Sequence, residues 1–419
     1  MPDDSAPSST ARVPTNPWSP LRTPLFRALW IASLASNVGT VMHTVGASWA
    51  MTSLSTSPAI VSLAQAAWTV PGFLFAIPAG ALTDIVDRRS LIAVTQVAGL
   101  VIATVMGVLQ LTGHLGVAPL LLGTFLLSVA LTLSGPAWTA VLPDMVGPEE
   151  LPQAIGLNSI AYNGPQSLGP ALGGLLVAAA GPEAVFFVNA VSFLGIVWVA
   201  HSYRRGPRVK PSHEPMVEAM RTGVRYVRAN RSVQRYALRI VLAFTVTSAL
   251  TALLPLVARQ RLGVDASRFG VVSTALGVGA VLSIWALPRV RNLCSDDNAV
   301  VLAGGCWALG VALLAPTHSL AVALVALVAA GAGQMATMNI VYSLYVATLP
   351  DHVRGRASSV VMLTVWLGAS AGAIFWGWLA SSTSLPATLF TAAVTQVGVT
   401  LGARVLLHLG APAGDTLAP

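Results

Sequence analysis

Charge is what this 419-residue chain lacks: Asp, Glu, Lys and Arg together make up 9% of it. Soluble domains carry about 25%, so a water-soluble fold of this size could not cover its surface. Cysteine is nearly absent. Cys294 and Cys306 alone exclude a disulfide framework. There is no His/Asp cluster with metal-ligand spacing, no Gly-Lys-Ser phosphate loop and no serine-nucleophile motif, so neither an enzyme nor a metal or cofactor site is expected. No Asp or Glu sits in the middle of an apolar run; all 15 lie in loops, tails or run ends. Period-two alternation is missing too, which excludes a membrane barrel. The first 25 residues have no apolar core, so they do not read as a signal peptide; their Pro, Ser and Thr predict a disordered tail.

What is there is apolar: 55% of the residues, with a mean hydropathy of +0.73. A helix needs about 20 apolar residues to cross a bilayer. Twelve runs qualify: 26–51, 58–82, 90–112, 117–140, 154–179, 184–202, 237–257, 268–287, 299–316, 319–346, 357–380 and 385–407. The expected fold is an all-α polytopic membrane protein. Its parts are a tail over 1–25, a six-helix half over 26–202, a basic loop over 203–236, a second six-helix half over 237–407 and a tail over 408–419. With the N-terminus cytosolic, all but Arg259, Arg261 and Arg268 of the 23 basic residues fall on the cytosolic side, as the positive-inside rule requires. That predicts a multi-pass protein of the cytoplasmic membrane with both termini cytosolic. The basic balance is then a topology signal whose nearest partner is anionic lipid. The cluster from Arg204 to Arg239 offers only three tyrosines for stacking, so nucleic acid is not an expected partner. Within the loop, Met216, Val217, Met220, Val224 and Val227 recur at helical spacing with Arg221, Arg225 and Arg228 between them, which predicts an amphipathic helix on the membrane surface. The three outer arginines could attract anions, although a solvated loop explains them as simply.

Leu142-Pro143-Asp144 ends span four and Leu349-Pro350-Asp351 ends span ten. The same offset aligns span one with span seven, which supports two related halves enclosing a midplane site. Between spans two and three stands Gly80-x-x-x-Asp84-x-x-Asp87-Arg88-Arg89. Asp84 sits at a helix C-terminus, where the dipole disfavours an anion, and Arg88 is the nearest cation in sequence. This segment resembles the signature of the major facilitator superfamily in the same loop, with Asp87 where glycine is usual. The resemblance implies a gating latch made by Gly80, Asp84, Arg88 and Arg89. Span five carries Gly156, Gly169-Pro170 and Gly173-Gly174, similar to the superfamily's antiporter motif, with Pro165 in place of its middle glycine. Physically these are close-packing and bending residues. Residues 135–159 are similar to the exporter branch that holds enterobactin exporters and macrolide-efflux proteins. Many drug–proton antiporters carry a buried Arg in span four, but Val117 to Val141 holds no charge.

On span one, Ser33, Ser36, Asn37, Thr40, His43, Thr44 and Ser48 share one arc, which predicts a face toward the pathway. Gln65 and Trp68 in span two, Asn158, Asn163 and Gln166 in span five, Asn189 in span six, and Gln334 and Asn339 in span ten extend that set; each also suits an interhelical hydrogen bond. His43 is the titratable group nearest mid-span. It and Asp84 are the candidates for proton coupling. Uncharged polar groups of this kind suit a small amphipathic substrate. The expected protein is a monomeric, proton-coupled exporter of such a compound, working by alternating access. An importer or facilitator of a metabolite is the alternative within transport, and a non-transporting membrane sensor the alternative outside it.

Overall fold

The computed structural model describes residues 16–202 and 216–406, without the side chains of Asp84, of 202, of 216–222 and of 351–356. The expectations for the rest of the N-terminal tail, for 203–215 and for the 408–419 tail lie outside the described residues.

Every long apolar run is a helix. In chain order these are α1 (Pro24–Leu54), α2 (Pro58–Ile85), α3 (Arg88–Leu111), α4 (Val117–Val141), α5 (Leu151–Ser202), α6 (Met216–Ala229), α7 (Arg231–Leu256), α8 (Ala266–Leu293), α9 (Asp296–Leu314), α10 (Leu320–Ala347), α11 (Asp351–Ser382) and α12 (Leu385–Leu406). Starts are marked locally. Pro24 and Pro58 occupy first turns, where a missing N–H costs nothing. The Asp87 carboxylate accepts from Ser90 N–H (3.1 Å) and caps α3. Asn230 accepts from Ser232 and Val233 N–H and caps α7. Asp265 caps α8, and the N–H of Arg268 and the hydroxyl of Ser267 hold its carboxyl below the usual range.

Among the described residues, eleven segments are long and apolar enough to cross a membrane. The longest, α5, is bent into two limbs at Gly181, whose φ of 81° and ψ of 167° suit only glycine. Pro182 follows and reinforces the break. Two limbs make two crossings, so the chain crosses twelve times, as the sequence predicts. Three boundaries shift by six residues: α7 starts at Arg231, α8 runs on to Leu293 and α11 starts at Asp351. The tail is ordered sooner than expected. Ser19–Arg22 forms a 3₁₀ turn, because Leu21 and Leu25 pack onto the apolar cluster of Phe26, Leu29, Leu142 and Val199.

α1–α5 form one half, with α1 held between the two limbs of α5, and α7–α12 form the other. α2 against α11 and α5 against α8 join the halves. The helix directions define an α6 face and a far face; the far face carries the connections 55–57, 257–265 and 315–319. On the far face a single core draws on both halves, from Val45, Met51 and Val61 to Leu250, Val272, Trp376 and Leu389. On the α6 face the cores are separate, one around Phe26 and Ala137 and the other around Tyr236, Ile340 and Tyr345. The halves therefore close at the far face and part toward the α6 face.

α6 is the helix expected in the basic loop. It does not rest on lipid alone but packs on α11 and touches α7 and α2. Tyr226 and Val227 join the core of the second half, while Arg225 and Arg228 are exposed.

Candidate functional site

The bends that shape the opening come from proline. Pro165 has no N–H to offer the carbonyl of Ala161, four residues back. Asn37 on α1 supplies the missing donor, its Nδ2 lying 3.0 Å from that oxygen. Trp30 Nε1 donates to Leu157 O (2.7 Å) one turn away. Farther along, Val41 and Met42 lie against Gly169 and Gly173, where a Cβ would meet Val41 Cγ1 at 2.6 Å and Met42 Cα at 3.0 Å. α1 and the first limb of α5 are thus bonded and packed as one piece.

The second limb takes the rest of the polar arc. Thr40 reaches Asn189 Oδ1 at 3.4 Å, and His43 is fully buried with its ring 4.7 Å from that of Phe186. Thr44 bonds back to Val41 O. The face of α1 expected to line the pathway is therefore spent largely on holding α5. Asn37, Thr40 and Asn189 make interhelical hydrogen bonds, and His43 meets no open space in this conformation. Trp68 also turns inward, packing with Ala103, Leu127 and Phe193.

The open side is lined instead from α5, α7 and α10. Asn163 and Gln166 are exposed on α5, with Asn158 half-buried beside them; nothing stands within 4 Å of a Cβ at Gly156 or Gly164. Between α7 and α10 lies a narrow cleft of about 20 Å³ lined by Ile240, Phe244, Thr247, Gln334, Met338 and Val341. Gln334 was legible as a polar residue within a span. Phe244, Thr247 and Met338 were not, because an aromatic or a Met in an apolar run looks the same toward lipid or cavity. Gln65 on α2 and Asn339 on α10 are half-buried. At mid-depth the Trp366 indole lies on Gly72, and Ser370 Oγ donates to Thr69 Oγ1 (2.8 Å) across the halves. These contacts form the floor of the opening.

Arg88 Nη1 donates to Ala140 O (2.9 Å) at the end of α4 and lies 3.9 Å from Asp144 Oδ2. The α4 end, at the first Leu-Pro-Asp copy, thus brings a carbonyl and a carboxylate to one spot beside Arg88. Arg89 donates to His201 O. Gly80 is buried; the Asp84 side chain is outside the described residues.

Arg239, which the sequence places with the basic loop, is instead buried. Its Nη1 lies 2.9 Å from Asp297 Oδ1 on α9, both side chains being at most 5% exposed, and it donates to Ala403 O on α12. Three helices of the second half meet on this one ion pair.

Two six-helix halves, closed at one face and open at the other around an uncharged polar and apolar opening, define a membrane transporter of the alternating-access type. The family model described as transmembrane secretion effector matches residues 15–418, and the chain belongs to that family of the major facilitator superfamily. A staphyloferrin A transporter of Staphylococcus aureus is 20% identical over 330 residues, covering 78% of this chain and 82% of that one. An uncharacterized MFS-type transporter of Sinorhizobium fredii is 26% identical over 289 residues, covering 66% and 70%. Among solved structures, a bacterial homolog of the human lysosomal transporter Spinster, inward-facing and unoccupied, superposes with a TM-score of 0.70 at 18% identity, covering 93% and 96%. A variant of the nucleoside transporter NupG gives 0.74 at 15%, covering 91% and 99%. At these identities the structural likeness speaks for the fold. Family and fold are those of transporters, not enzymes.

Proposed function

We propose that this protein exports a small amphipathic compound, uncharged or weakly charged, across the cytoplasmic membrane by alternating access in exchange for protons. The observation that carries this reading is the opening on the α6 face. Among the described residues, that face holds the basic ones apart from Arg259, Arg261 and Arg268, so positive-inside logic makes it cytosolic. An opening on that side loads from the cytosol. The narrow α7–α10 cleft on the open side offers Phe244 and Met338 to an apolar body and the Gln334 amide to one polar group. It presents no fixed charge that a strongly ionic substrate would need. The relative that carries a siderophore transporter's name supports a natural-product cargo.

Gating is assigned to the loop of Asp84 and Arg88, and coupling to Asp84 before His43. Rocking of two rigid halves leaves α1 and α5 together, so His43 stays enclosed, whereas Asp84 stands at the parting face. Inverted vesicles tested with a panel of amphipathic compounds, with and without a pH gradient, decide the matter. Accumulation driven by an acidic lumen is expected. Asp84→Asn should reduce it at least tenfold, while Asp87→Asn keeps the α3 cap, since Asn caps nearly as well as Asp, and stays within about twofold of wild type. His43→Gln should retain the response to the gradient. Uptake that ignores the gradient would make the protein a facilitator, and loss of coupling in His43→Gln alone would return that role to His43.

A further inference from the structure

Where α7 ends, the chain winds into a π turn, Val257–Arg261, before α8 begins. The turn sends its side chains to both halves. Arg259 crosses to the first half. Its Nη1 donates to Ser53 Oγ (2.6 Å) and Thr52 Oγ1 (3.0 Å) in the last turn of α1, and its guanidinium lies 5.3 Å from the centre of the Trp49 ring. Trp49 in turn stacks on Phe269 of α8, at 5.2 Å and 26°. Gln260 follows Arg259 across and donates to Thr56 O (3.2 Å). Arg261 turns back into its own half, donating to Pro316 O (3.1 Å), while its carbonyl meets His318 Nδ1 (2.8 Å). One turn is thus anchored at Arg261 and grips the other half at Arg259.

We propose that Arg259 is the latch of the far face: it holds the two halves shut there, and its release from Thr52, Ser53 and Trp49 is a step in every passage to the state open on the far face. The chemistry suits a reversible contact. A cation at the C-terminus of α1 meets the negative end of the helix dipole. The indole face adds a cation–π attraction. Hydroxyl oxygens accept from the guanidinium without the strength of a carboxylate pair. Arg268, also on the far face, is exposed and its backbone N–H bonds Asp265 of its own half, which makes it the natural control.

The test needs no substrate. In a Cys294→Ser, Cys306→Ser background in nanodiscs, one reporter is Ser62→Cys, buried in the closed far face; the other is Ser159→Cys, exposed on the open side. Arg259→Gln is expected to raise maleimide labelling at position 62 about tenfold and to lower it at position 159, a population shift between the two open states. Arg259→Lys, which keeps charge and loses the fork, should fall between, and Arg268→Gln should match the parent at both positions. Thr52→Val with Ser53→Ala removes only the acceptors and should move both rates in the same directions by a smaller factor. Unchanged rates in Arg259→Gln would overturn the latch. So would rates that rise together in both the Arg259→Gln and the Thr52→Val, Ser53→Ala proteins, since that marks loss of structure and not a change of state.

Discussion

Replacing Asp297 by Ala is expected to cost about 3–5 kcal/mol, the penalty of stranding a buried partner charge. The Arg239 side chain is 3% exposed and lies among α7, α9 and α12, so nothing on its own helix can bring it to water. Detergent-solubilised Asp297→Ala should therefore melt well below wild type, and its abundance in the membrane should fall. The pair itself is not the source of stability. Its desolvation offsets most of its attraction, and an apolar pair of similar volume can do as well. Arg239→Met combined with Asp297→Leu should accordingly recover most of the lost melting temperature. If the single variant melts like wild type, the ion pair does not hold these three helices.

Gly174→Leu is expected to abolish transport, and Gly156→Ala to be nearly silent, although both belong to the same glycine motif. At Gly174 even a Cβ would collide with the backbone of Gly270 on α8, an immovable neighbour. Overpacking of that kind typically costs about 1–3 kcal/mol, and here it acts on the contact about which the halves must turn. At Gly156 a Cβ meets open space, and Ala gains up to about 1 kcal/mol of helix propensity. Abundance measured beside vesicle transport separates the two. A Gly174→Leu protein that is made in normal amount and transports normally would show that α5 and α8 do not pivot there.

The twelve crossings were legible because each needs only a long apolar run. The break in α5 was legible as the gap between the runs 154–179 and 184–202. Pairing between helices was not. The polar arc of α1 is a property of one helix; whether Asn37 faces water or Ala161 O depends on the carbonyl that Pro165 frees on another. Arg239 read as loop charge because it starts a span, and only the fold brings Asp297 to it. Arg259 read as an outer surface residue because hydroxyls and an indole carry no charge signal in sequence. The α7–α10 cavity was visible only through Gln334, since apolar linings leave no mark in an apolar run.

Gly181 also settles the parity of the chain. A straight α5 would count as one crossing and would put every later connection on the opposite side of the bilayer. Because it bends there, the start of α1 and the end of α12 share a face. Reporter fusions placed before residue 24 and after residue 406 must then give the same sidedness. A substitution that straightened residue 181 would not merely weaken one corner; it would set the second half's arginines and its Leu-Pro-Asp turn against the rule that oriented them.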